Sequence, residues 1–132
     1  MTRGVLADAG PLYAVADAGD AHHQRARKEL HRLQVERWHV SVAYPTLLET
    51  HALVLARMGA DAALRWLTYI LDAAVVNPTP EDYRQAFAKV RALPDQNITL
   101  FDATVAMLAT RLGLQVWTYD HHFDVMRVPV WR

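Results

Sequence analysis

The 132-residue chain contains no cysteine, which excludes disulfides, thiolate metal sites and cysteine nucleophiles together. It has almost no lysine: Lys28 and Lys89 are the only two, and the other cations are arginines. It also lacks a net charge, with 14 basic residues against 14 acidic ones. That balance argues against a broad electrostatic binder of nucleic acid, although arginines could still ring a local acidic site. No apolar run approaches the roughly 20 residues that span a bilayer. A charge at Arg3 precedes any apolar stretch of the signal-peptide kind, so the expected location is cytoplasmic. What is present in quantity is apolar surface: 52% of residues are hydrophobic, enough for the well-buried core of one domain over residues 1–132.

Short apolar runs alternate with helical patterns. Val5-Leu6-Ala7 reads as a strand ending at Asp8, and Pro11 lies just inside the short helix that follows. Asp20 is placed to cap a helix running to about Arg37, with Ala26, Leu30 and Leu33 on one face. His39 to Val42 reads as a second strand. Pro45 opens a third helix that runs to Met58, and Gly59 is suited to a left-handed C-cap. Asp61 then caps a fourth helix striped by Leu64, Leu67, Ile70 and Leu71. After a strand at Ala74–Val76, Thr79-Pro80-Glu81-Asp82 combines a hydroxyl cap, a first-turn proline and first-turn acids. That helix stops before Pro94, and Thr99-Leu100-Phe101-Asp102 opens another that ends near Gly113. Gln115 to Tyr119 is a strand leading into Asp120, and Val125 to Trp131 a last strand that Pro129 restricts to an edge or a strand end. Such alternation predicts a three-layer α/β/α sandwich around a mainly parallel sheet.

Four acids stand out from this pattern. Asp8 and Asp120 follow strand segments, and in an open parallel sheet those positions face the ligand-binding crevice. Asp102 sits in the first turn of its helix and can project into the same crevice. Glu49 lies among Leu47, Leu48, Ala52 and Leu53, where a charge is not expected to be buried unless paired or bound to a metal. Each has an ordinary explanation alone. Asp8 and Asp120 could be loop residues, Glu49 an exposed helix acid, and Asp102 half of a capping box with Thr99. Taken jointly, three of the four are placed by independent local signals at one end of one sheet. Packed carboxylates repel unless a proton or a cation intervenes. An oxygen-only set suits Mg2+ or Mn2+, and two such ions could serve hydrolysis of a phosphodiester.

Four segments resemble a PIN domain of the toxin-nuclease type found in VapBC toxin–antitoxin pairs. They are Leu6 to Ala14, Thr46 to Thr50, Thr99 to Ala103 and Thr118 to Phe123, and their order and spacing match over essentially the whole chain. The resemblance implies a five-stranded parallel sheet, Mg2+- or Mn2+-dependent cleavage of RNA, a homodimer, and an antitoxin that blocks the site. It implies that Asp8, Glu49, Asp102 and Asp120 form the catalytic, metal-binding quartet. Thr99 matches a hydroxyl residue that is more often Ser, and Asp124 is a further acid without an assigned role. The alternative is a PIN-like module that binds RNA or a protein without cutting.

Other candidates carry less. His22-His23 and His121-His122 are adjacent pairs whose rings are expected to diverge, which makes joint chelation awkward and favours surface roles. Trp38, Trp66, Trp117 and Trp131 read as core or dimer-contact residues, and Arg111 as a solvated helix end. An aspartyl-phosphate phosphatase would want an acid at Gly10, a phosphorylation receiver a strand-end lysine, and a P-loop enzyme a glycine-rich cradle. None is present.

Overall fold

A computed structural model describes residues 3–132. Four strands, β1 (Gly4–Ala7), β2 (His39–Ala43), β3 (Ala74–Val76) and β4 (Gln115–Trp117), form a parallel sheet in the order β3-β2-β1-β4. The period-2 alternation of β1 sorts its side chains between two cores. Val5 and Ala7 face α1 (Ala9–Ala16), α2 (His23–Val35), α3 (Tyr44–Met58) and α4 (Ala60–Ile70). Leu6 faces α5 (Pro80–Ala92), α6 (Leu100–Leu112) and the short α7 (His122–Val125). The expected three-layer sandwich is therefore observed.

The sheet has four strands where the resemblance implied five. The tail contributes a single parallel bridge, Val116 to Val130, with Val116 N–H on the Pro129 carbonyl and Trp131 N–H on the Val116 carbonyl. Pro129 has no N–H to extend the ladder. β4 also ends earlier than expected, at Trp117. Thr118 Oγ1 accepts from Asp120 N–H at 3.0 Å, a side-chain turn that lifts the chain off the sheet before Asp120.

Helix ends follow local chemistry, with three departures. Asp20 does not cap α2. Its carboxylate accepts from His22 N–H at 2.8 Å in a turn of its own, α2 begins at His23 without a side-chain cap, and it ends at Val35. Asp61 lies in the first turn of α4, whose N-cap is Gly59. Gly59 is not left-handed either: at φ 93° and ψ 175° it occupies a region essentially open only to glycine, and this one residue ends α3 and starts α4. Gly113, where α6 was expected to end, is a left-handed cap at φ 68° and ψ 32°.

The α4 stripe divides. Trp66 and Ile70 are buried, while Leu64 and Leu71 are exposed. Trp117 and Trp131 are core residues that meet edge-on at 6.4 Å, and half-buried Trp38 packs on Trp131. No helix among the described residues is long and apolar enough to cross a membrane.

Candidate active site

The carboxyl ends of β1 and β4, with the first turns of α1 and α6 and the second turn of α3, enclose a cleft of about 580 Å³. Asp8, Glu49, Asp102 and Asp120 all line it, beside Gly10, Thr99, Phe101, Tyr119 and His121. No lysine or arginine lines it among the described residues. The four acids that the sequence singled out therefore meet in one place, although their separations along the chain are large.

Asp8 is the buried centre of the group. Thr118 Oγ1 donates to Asp8 Oδ2 at 2.8 Å, while Asp8 Oδ1 is buried with no hydrogen-bond partner. An orphaned carboxylate oxygen costs free energy unless something else satisfies it. Burial, with Asp120 nearby as a smaller cause, pushes the Asp8 carboxyl above its ordinary value despite the Thr118 bond. Glu49, the most exposed of the four, is raised by partial burial and by Asp8.

Asp102 and Asp120 titrate as a pair. Burial, a hydrogen bond shared with Asp120 and the negative charges of Asp8 and Asp120 raise Asp102 to about 7. Burial also opposes ionisation of Asp120, but the His122 N–H, the bond from Asp102 and the two neighbouring histidines outweigh it and hold Asp120 below its usual value. The two carboxyls are thereby pushed apart, Asp102 toward its neutral form and Asp120 toward its charged form.

Asp102 is not spent on capping. Thr99 Oγ1 accepts from Asp102 N–H at 3.0 Å and starts α6, but the Asp102 carboxylate makes no return bond to the Thr99 backbone. The parallel motif on α5 closes its box: Asp82 N–H bonds Thr99's counterpart, Thr79 Oγ1, at 3.1 Å and Asp82 Oδ2 accepts from Thr79 N–H at 2.8 Å.

The donor set fits a hard divalent cation. It is all oxygen, its members repel, one oxygen is buried without a partner, and the neighbouring negative charges help raise the Asp102 carboxyl to about 7.

The PIN domain family model matches residues 5–129. The chain belongs to the PIN domain family. No curated protein sequence matches it. Among solved structures, the PIN chain is similar to VapC20 of Mycobacterium tuberculosis, a sarcin–ricin-loop-cleaving toxin, with a TM-score of 0.83 at 23% identity over 97% of this chain and 98% of that one. It is similar to VapBC2 of Rickettsia felis bound to a promoter DNA fragment, with a TM-score of 0.76 at 9% identity over 98% and 97%. It is also similar to DNA-bound VapBC of Salmonella typhimurium, with a TM-score of 0.71 at 16% identity over 100% and 96%.

Several residues around this PIN cleft were not visible as partners in the sequence. Thr118 bridges the quartet, donating to Asp8 and accepting from the Asp120 backbone, and the only hint was a hydroxyl two residues before an acid. Glu29, inside α2, accepts from Trp117 Nε1 at 3.2 Å and from the Tyr119 hydroxyl at 2.5 Å. Tyr119 is stacked under the Arg25 guanidinium at 4.2 Å, and burial and Glu29 push its phenol well above the usual value. Arg111 is not a free helix end, because it forms a two-bond pair with Asp82. Asp124 lies outside the cleft, with its carboxylate 2.7 Å from Arg132.

Proposed function

We propose that this PIN domain is a metal-dependent endoribonuclease, the toxin of a cytoplasmic toxin–antitoxin pair, that hydrolyses RNA phosphodiester bonds. The observation that carries this reading is the convergence of four carboxylates in one cleft, with Asp8 Oδ1 buried and unpartnered at its centre. In this reading Asp8, Glu49, Asp102 and Asp120 are the catalytic residues and hold Mg2+ or Mn2+. Bound there, such an ion would lower the pKa of a water and stabilise charge on the leaving oxygen.

The chain's own residues supply the rest. Thr118 holds one Asp8 oxygen, so that the other points at the ligand. Thr99 fixes the start of α6, so that Asp102 faces the cleft with its carboxylate free of the backbone. A divalent cation held by these acids would compete with protonation of Asp102, whose carboxyl is raised to about 7. Similarity to toxins and toxin–antitoxin complexes supports the biological setting. A homodimer and an antitoxin contact fit the apolar side chains exposed on α3, on α4 and just after α4, among them Leu48, Leu55, Leu64 and Leu71.

The test is cleavage by purified protein freed of antitoxin. With Mn2+, wild type is expected to cut RNA and EDTA to stop it. Asp8→Asn is expected to lose at least about 100-fold in rate, by analogy with the loss on removing one preorganised catalytic group, with its circular dichroism unchanged. If wild type with Mn2+ cuts no RNA, the enzymatic reading fails and a PIN module that binds without cutting replaces it.

A further inference from the structure

The adjacent histidines at the start of α7 do not diverge as expected. Asp120 Oδ1 accepts from the His122 backbone N–H at 2.9 Å, and the two imidazoles lie side by side. Their ring centroids are 4.3 Å apart with planes 36° from parallel. His122 Nδ1 lies 3.0 Å from Asp120 Oδ1 and His121 Nδ1 lies 3.8 Å from it. One donor atom from each of the three residues falls within 4.8 Å of the others.

A second observation concerns His122 Nδ1. It is buried and lacks a hydrogen-bond partner even though Asp120 Oδ1 is 3.0 Å away, so the nitrogen does not aim along that line. Donors that share an ion aim at a point between them and not at each other. In a tetrahedral site with bonds near 2.0–2.1 Å, donors stand about 3.3 Å apart, between the two separations observed here. The guanidiniums of the adjoining groove, Arg25 and Arg132, are engaged by Glu29 at 3.5 Å and Asp124 at 2.7 Å.

We propose that Asp120, His121 and His122 form a second metal site, at the rim of the acidic cleft that Asp120 and His121 also line, for a borderline transition-metal ion of the Zn2+, Co2+ or Ni2+ class. Two imidazoles and one carboxylate, with an open position for water, suit such ions and not the hard Mg2+ favoured by the all-oxygen cleft. Because Asp120 belongs to both groups, an ion held by the histidines engages one of the cleft's four acids.

The experiment is a Co2+ titration of untagged, metal-free protein at pH 7.5, read by its visible ligand-field absorption. Wild type is expected to develop the band, and Asp8→Asn to retain it. His121→Gln and His122→Gln are each expected to weaken Co2+ binding by at least about tenfold, the lower end of what loss of a metal-site partner costs. Equal Co2+ affinity in wild type and either histidine variant overturns the proposal. So does loss of the band in Asp8→Asn, which would place the ion among the cleft acids. Should a histidine variant melt early, side-chain nitrogen NMR of wild type with Zn2+ decides: both Nδ1 resonances must move, and unmoved resonances overturn the site. No readout depends on RNA cleavage, so this proposal and the nuclease reading fail separately.

Discussion

Arg111 grips Asp82 through two parallel hydrogen bonds, Nε to Oδ1 at 2.8 Å and a terminal nitrogen to Oδ2 at 2.9 Å. The pair ties the end of α6 to the start of α5. It also separates two acids with the same local motif, since Asp82 and Asp102 each stand three residues after a capping threonine. Arg111, the Thr79 backbone and the Thr79 hydroxyl stabilise the Asp82 charge, whereas Asp102 meets other acids.

Asp82 is therefore a structural acid. The Arg111 guanidinium lowers its pKa against the opposing effect of burial. A depressed carboxyl contributes stability above its unfolded value, near 3.9, that is lost as pH falls through the lower folded value. Asp82→Ala is expected to destabilise the fold at pH 7 by at least about 1 kcal/mol, from the broken capping box alone. Urea denaturation at pH 7 and pH 3 checks this, with the difference from wild type shrinking at pH 3.

Asp102 has the opposite sign. Its pKa is raised to about 7, so the folded state takes up a proton and loses stability as pH climbs from about 4 toward 7. Asp102→Asn is expected to raise the Tm of metal-free protein by about 3–6 °C at pH 8, corresponding to about 1–2 kcal/mol. At pH 4 the gain should nearly vanish. Mn2+ should raise wild-type Tm more at pH 8 than at pH 5.5, because protons and the cation compete. Scanning calorimetry with and without metal reads both effects.

Thr118 predicts a pair of variants. Thr118→Val keeps the shape but removes the hydroxyl that serves Asp8 and the Asp120 backbone. Mn2+ affinity is expected to fall about 10–100-fold, the usual cost of losing a partner that orients a ligand. Thr118→Ser should recover most of it. Isothermal titration of metal-free protein separates this orienting role from a packing role, which Val would preserve.

Glu29 anchors the aromatic wall beside the cleft. Glu29→Ala leaves the buried Trp117 N–H without its acceptor, at an expected cost of about 1–3 kcal/mol. Tyr119 loses its acceptor in the same variant, and its phenol should titrate at lower pH than in wild type. Urea unfolding and ultraviolet titration of the phenol measure the two effects.

Much of the framework was legible locally. The apolar run ending at Asp8, the Thr-Pro start of α5, the Thr99 start of α6 and the left-handed Gly113 all appear where neighbouring residues placed them. Local signals misplaced Asp20, Asp61 and the conformation of Gly59, where several short polar or glycine residues competed for one turn. The final strand shrank to one bridge because strand pairing is decided across the sheet, and Pro129 offers it no donor.

By itself the sequence determined the end of β1 before Asp8, the capped starts of α5 and α6 and the stop of α6 at Gly113, because those features rest on φ/ψ preference and on contacts within a few residues. It also marked the four acids, three of them because independent local signals placed them together at one end of one sheet and Glu49 because a charge among leucines is not expected to be buried unpaired. Only the tertiary structure decided which acids are free. The motif of Asp82 matches that of Asp102, yet an arginine 29 residues away engages the first, and a hydroxyl 110 residues away from Asp8 orients the centre of the cleft. The side-by-side placement of the His121 and His122 rings next to the Asp120 carboxylate was likewise visible only in the folded chain. Charge and hydrogen bonding act through space, and separation along the chain does not report separation in space.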